Sequence, residues 1–233
     1  LPPFWSDVAR TTRLAVPLLL VCGAVQVAAV AALPRDLDGL TTWVLLPFVN
    51  YILYRIALFD LPAPYLTRLT SGAPPGAPFR FLLSLALPFV LIVGAFVALY
   101  LISWPASGMG RMLLNLSLYG LFWLALSFFG TLLPAAAAGQ RLSPAAALWA
   151  AEGRWTGVAI NLFLVAGVGG AGILFAAFSG KFWLDSLQAA PPVHYTVDTL
   201  LTALAWASLI PTVVVLTRAY RQGWPQDAAA RPF

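Results

Sequence analysis

Few side chains in this sequence could do chemistry, and their spacing limits what that chemistry would be. His194 is the only histidine and Cys22 the only cysteine. The chain by itself can therefore build neither a bis-histidine haem site nor a histidine or multi-cysteine metal cluster, and no intrachain disulfide can form. His194 lies beside Pro191-Pro192, where a solvated interfacial imidazole is the ordinary role. Cys22 sits inside an apolar run and reads as a small buried side chain. Asp198 could serve a proton relay, but a relay needs a chain of such groups, and no second acidic residue lies deeper in that run. The sequence holds no nucleophile elbow, phosphate loop, HExxH motif or pair of carboxylates within an apolar run. Nothing in it supports enzymatic activity, and no cofactor is expected.

The arginines carry what remains. Arg55 is the most interior charge, with Tyr51 and Tyr54 before it and Asp60 beyond. An arginine at that depth is a candidate substrate contact. Its long stem also lets the head reach the headgroup layer, and snorkelling is the ordinary expectation. Arg141 and Arg154 flank a short Ala-rich segment containing Trp149. They could hold an anionic lipid headgroup, but two arginines without a wider basic cluster fit topology signalling better. Trp149 would then lie against the ends of neighbouring helices. Arg55, Arg141, Trp149 and Arg154 are thus the candidate lipid or partner contacts. Gly153 and Gly157, at small-xxx-small spacing, together with Gly167 and Gly170, are candidates for close helix packing and would put their span at the bundle centre. Asn50, Asn115, Asn161 and Gln26 suit interhelical hydrogen bonds.

The elements that must position these residues are membrane spans. The 233 residues are 61% hydrophobic and only 9% charged, far from the roughly 25% charged residues of a soluble domain. The expected fold is all-α, a single polytopic membrane domain over 1–233 with six transmembrane helices at about 14–33, 41–59, 81–102, 112–133, 155–178 and 197–220. Each is near the length that crosses about 30 Å of hydrocarbon at about 1.5 Å per residue. Phe4 and Trp5 suit the interface ahead of the first span, and Ser6-Asp7 can start a short helix there. Residues 1–11 carry Asp7 and Arg10 and no small-residue cleavage site, so they do not read as a secretory signal peptide. Pro34–Gly39 is a tight turn, and the proline-rich 60–80 stretch is a surface loop. Residues 180–195, with Phe182-Trp183 and a Pro191-Pro192 stop, read as another loop. Pro17 and Gly23-Ala24 recur as Pro88 and Gly94-Ala95, which admits three helical hairpins of one type.

The net charge of +5 marks topology in a chain this apolar, not a nucleic-acid partner. Arg10, Arg13, Arg55, Arg68, Arg80, Arg141, Arg154, Arg218, Arg221 and Arg231 fall on one side of the six-span arrangement, and Arg35, Arg111 and Lys181 on the other. The positive-inside rule puts both termini in the cytoplasm, as an even span count requires.

The connection between spans four and five holds the densest helix signals. Pro134 is expected to end span four. Ser143-Pro144 opens a short helix over about 144–152, with serine as N-cap and proline at the first helical position. Leu132-Leu133-Pro134, Leu142-Ser143-Pro144-Ala145-Ala146-Ala147-Leu148, Gly153-Arg154-Trp155 and Thr217-Arg218-Ala219-Tyr220-Arg221 together resemble the YciC-like bacterial inner-membrane proteins and the membrane domain attached to some glycerophosphoryl diester phosphodiesterases. The resemblance implies a six-helix fold in a bacterial inner membrane. It does not extend to a soluble phosphodiesterase domain, and alanines stand here where basic residues are usual around the serine.

The expected function is a non-catalytic membrane subunit, or an assembly or scaffold factor, packing beside other integral membrane proteins and membrane lipids. The alternative is a small transporter or lipid-handling protein, with Arg55 and the span-five glycines lining a path. A polar cavity reaching the midplane would favour the transporter; a filled bundle with a wide apolar outer face would favour the subunit.

Overall fold

A computed structural model describes residues 4–32, 38–60, 76–103, 117, 120–121, 123–140, 143–151, 154–186 and 191–223. Every regular element among them is helical: α1 (Phe4–Ala32), α2 (Asp38–Phe59), α3 (Ala77–Ser103), a helical run over 123–129, α4 (Leu132–Ala137) and α5 (Pro144–Ala151). Then α6 (Trp155–Asn161) runs through a π-helical segment (Leu162–Val168) into α7 (Gly169–Ser186), followed by α8 (Pro191–Ala207) and α9 (Ile210–Gly223). Among the described residues three stretches are long and apolar enough to cross a membrane: Phe4–Ala32, Trp155–Leu184 and Pro192–Gln222. Shorter apolar runs lie in α2 (Val44–Phe59) and α3 (Ala77–Leu87).

Prolines and glycines redraw several expected boundaries. Pro134 does not end span four; it lies inside α4, and the break falls before it at Gly130-Thr131. Proline is tolerated in a first helical turn because its missing N–H has no intrahelical acceptor there. Gly130 is the residue the break needs, since a Cβ there would come within 2.2 Å of the Leu126 carbonyl oxygen and 2.6 Å of Leu216 Cδ2. By the same logic Pro191-Pro192 start α8 instead of stopping a span. No proline interrupts 180–186, so α7 continues through Phe182-Trp183 where a loop was expected. Pro211 does the reverse. It lacks the N–H that would bond to Ala207, and Ser208 and Leu209 tighten into i→i−3 bonds to Ala205 and Trp206, each 3.2 Å. The last span is therefore jointed between α8 and α9.

α1, α2, α8 and α9 make the centre of the bundle, with α4 seated against α2, α3 and α9. Gly23 lets α1 and α8 meet closely: a Cβ there would stand 2.6 Å from the Thr199 carbonyl oxygen. Beside it Gln26 bridges three helices, its Nε2 donating to Thr42 Oγ1 at 2.9 Å and its Oε1 accepting from Trp206 Nε1 at 2.8 Å. A half-buried amide satisfied on both sides fixes the register of α1, α2 and α8. Leu53, Tyr54, Ile56, Phe81, Val213 and Leu216 fill the core, with Tyr51 edge-on to Phe81 at 5.4 Å. Gly94, which matches Gly23 in sequence, meets nothing within 4 Å among the described residues, so the likeness between α1 and α3 does not extend to the packing described.

Trp155–Leu184, the stretch expected as span five, is not the packing centre that its glycines suggested. Only 18% of its most apolar window is buried, against 56% for the last span. Among the described residues nothing lies within 4 Å of a Cβ at Gly157, Gly169 or Gly172. Gly167 and Gly170 do face neighbours, with Cβ positions 3.6 Å from the Trp123 ring and 3.2 Å from the Ser208 carbonyl oxygen. The π segment widens the helix between these two environments and brings Leu162 into the core. Gly153 lies outside the described residues.

Candidate functional site

Among the described residues, the end of the bundle where α1 begins and α2 and α9 finish gathers most of the charge. The last carbonyls of a helix have no intrahelical partner and carry the negative pole of its dipole. Three such C-termini here are each met by an arginine from another element. Arg55, on α2, donates from Nη1 to the Ala137 carbonyl at the end of α4, 3.1 Å away. Arg221, on α9, donates from Nη2 to the carbonyls of Ala57 (3.1 Å) and Leu58 (2.7 Å) at the end of α2. Arg154, just ahead of α6, donates from Nη1 to the Gln222 carbonyl at the end of α9. A planar guanidinium with five donors suits this task better than an ammonium.

The local chain explains why the acceptors are there. α4 ends in a left-handed Gly139 (φ +84°), with Gln140 N–H bonded to the Ala135 carbonyl at 2.9 Å and Gly139 N–H to Ala136 at 3.0 Å, a Schellman stop. That stop leaves the Ala137 carbonyl for Arg55 and projects Gln140 toward α9, where its Oε1 accepts from the Tyr220 hydroxyl at 2.6 Å. Asp60 closes α2 in the left-handed region (φ 53°) and pairs with Arg10 at 3.2 Å. Asp7 takes both Arg218 (2.9 Å) and Arg10 (3.4 Å), tying α1 to α9. Ser143 caps α5, its Oγ accepting from the Ala146 N–H at 3.1 Å.

These positions change the standing of several candidates. Arg55 does not snorkel. Its side chain is 4% exposed, and its guanidinium lies 4.6 Å over the Phe59 ring. Because α4 places a carbonyl within reach, the charge is satisfied where it stands and has no need of the headgroup layer. Arg154 joins the same end of the bundle. Arg141 lies outside the described residues, and Trp149 is placed only as a residue of α5. Asp198 pairs with Lys181 at 2.7 Å near the opposite end of the bundle, joining α8 to α7. Asn50 and Asn161 bond back to the carbonyls of Leu46 and Gly157 on their own helices. Among the described residues no three His, Cys, Asp or Glu side chains gather as a metal site would require.

Sequence reasoning missed Gly23, Gly130 and the Tyr220–Gln140 bond. Gly130-Thr131 directly before Leu-Leu-Pro was an available signal for a break, but the proline drew the boundary. Arg221 was counted only as a topology charge.

Beside the capped end lies a cleft of about 450 Å³ between the 123–131 segment, α6 and α9, with Ser127, Thr131, Arg154, Asn161, Arg218 and Gln222 among its walls. Ser127 donates to the Leu124 carbonyl at 2.7 Å. Thr131 is 8% exposed, and its hydroxyl has no hydrogen-bond partner among the described residues. Phe128 and Trp155 stack nearby, 5.2 Å between centroids.

Compared with known proteins, the chain matches no family model, no curated protein and no solved structure.

Proposed function

We propose that this protein is a non-catalytic integral membrane subunit or scaffold factor that packs beside other membrane proteins through its fifth span. The observation that carries this reading is the contrast on Trp155–Leu184: it is apolar enough to span, 18% buried, and sets Gly157 and Gly172 on its outer side with open space around them. Against lipid alone a bulky apolar side chain serves as well as glycine. Small residues on an outer face let another helix approach closely. Gly172 and Ala176, both exposed and four residues apart, form such a pair.

Six spans, both termini in the cytoplasm and a bacterial inner membrane belong to the same proposal. The 22 residues of α2 and 27 of α3 are long enough to cross. Arg10, Arg55, Arg154, Arg218 and Arg221 share one end of the bundle, as the positive-inside rule asks of a cytoplasmic end. The likeness to YciC-like proteins supports the same location. The lipid-handling alternative draws on the cleft at the capped end. The cleft's place at that end does not favour a transport path through the midplane.

The test is a photo-reactive residue placed in the living membrane at Gly172 and, as control, at Val90 on α3, which is also exposed. Crosslinks to a protein of discrete mass at 172, with lipid adducts alone at 90, are the expected result. Lipid adducts alone at both positions would overturn the subunit reading.

A further inference from the structure

We propose that the cleft beside the arginine-capped end binds a phosphate-bearing anion, the headgroup of an anionic phospholipid being the form that reaches it from the bilayer. This inference stands independently of the subunit reading.

Thr131 is the first ground. Its side chain is more than nine-tenths buried and lines the cleft, and its hydroxyl finds no acceptor or donor among the described residues. A buried hydroxyl left unbonded is costly; Tyr51, Thr202 and Thr217 share that state, but of the four only Thr131 lines this cleft, where a rotation about χ1 presents its hydroxyl to a ligand. The second ground is charge. Arg154 and Arg218 both line the cleft. Arg154 commits Nη1 to the Gln222 carbonyl, which fixes its plane while its other N–H groups remain to donate. Arg218 bonds Asp7 through Nε, and Arg10 has Asp60 as well as Asp7, so these two arginines and two carboxylates balance and the net positive charge at the cleft is that of Arg154. A phosphate has enough oxygens to accept from a threonine hydroxyl and an arginine fork together.

The third ground is the wall on the lipid side. Gly157 and Val158 line the cleft from α6, and Gly157 is exposed with nothing within 4 Å of its Cβ position. The cleft therefore has no side chain at that point of its rim, and further along the same helical stretch Ile160, Phe163 and Leu164 are exposed apolar side chains. A headgroup seated on Thr131 and Arg154 would leave its acyl chains along that surface. The volume lies within the range of small-molecule sites, about 300–1,000 Å³.

Two substitutions separate binding from folding. Thr131→Val keeps the shape and removes the hydroxyl; Gly157→Leu fills the open rim where the structure has room. Wild type and both variants would be titrated by native mass spectrometry with phosphatidylglycerol, phosphatidylcholine and inorganic phosphate, alongside melting curves. Phosphatidylglycerol should occupy one saturable site ahead of phosphatidylcholine. Thr131→Val should weaken it roughly tenfold, the worth of a hydrogen bond to a charged group, with Tm unchanged or raised in the lipid-free protein. Gly157→Leu should abolish the preference with Tm retained. Displacement of the lipid by inorganic phosphate at equal apparent affinity would confirm the phosphate site and make the free anion its source. Equal binding of both lipids by all three proteins, or a Tm loss in Thr131→Val with lipid affinity unchanged, would overturn the proposal.

Discussion

Trp155–Leu184 and Pro192–Gln222 are 30 and 31 residues long, and their most apolar 18-residue windows have mean hydropathy 2.2 and 2.0, yet 18% of one window and 56% of the other is buried. Hydropathy measures transfer into hydrocarbon, and a lipid tail is as apolar as a leucine, so the quantity that puts both segments in a membrane cannot sort them between core and periphery. Shape and polar contacts do that. The last span meets α1 at Gly23, bonds Gln26 through Trp206, and caps the end of α2 with Arg221. Trp155–Leu184 carries Phe163, Phe175, Phe178 and Phe182 on its outer side, and among its described residues buries Leu162, Gly167, Gly170, Ala177 and Leu184.

The contrast can be broken most severely at its glycines. Gly23→Leu would force a side chain into the Thr199 backbone, which cannot give way as a flexible tip could, and should cost about 3 kcal/mol or more. Gly172→Leu, in open space, should leave the melting curve of the purified protein unchanged. Comparable losses at both positions would mean that span five is packed as tightly as the last span.

Core truncation gives the next largest difference. Leu216→Ala, fully buried, should cost about 2–5 kcal/mol. Phe175→Ala, 75% exposed, should stay within about 0.5 kcal/mol. Denaturant titration in detergent would compare the two.

The arginine caps sharpen the comparison at one end. Arg55→Met removes the donor to the Ala137 carbonyl and leaves that acceptor buried, for an expected loss of about 1–3 kcal/mol. Arg55→Lys should recover only part of it, because an ammonium cannot reproduce the planar fork. Full stability in Arg55→Met would remove the capping role. At the small end of the scale, Ser143→Ala should cost about 1 kcal/mol through loss of the α5 cap, read as a shift in the thermal midpoint.

Composition alone made the membrane class and the helical fold legible, and the serine-proline pair marked the start of α5. The packing order was not legible, for a physical reason. Gly167, Gly170, Gly157 and Gly172 look alike in sequence, but which of them meets a neighbour depends on how the π segment rotates the helix after Leu162. The role of Arg55 was hidden for a similar reason. Its partner Ala137 is far away in sequence, and nothing local to Arg55 reveals that a helix C-terminus will be brought to it. Pro134 misled because a proline marks a first turn as readily as an end.

The central claim is that Pro192–Gln222 is core and Trp155–Leu184 is periphery. Photolabelling of the unmodified, purified protein in lipid tests it most directly, with a bilayer-soluble carbene reagent and mapping of adducts by mass spectrometry. The account predicts adducts concentrated on Phe163, Leu164, Val168, Phe175 and Phe178, with Val213–Leu216 spared. Labelling of Val213–Leu216 at a level equal to or above that of the span-five phenylalanines would contradict it.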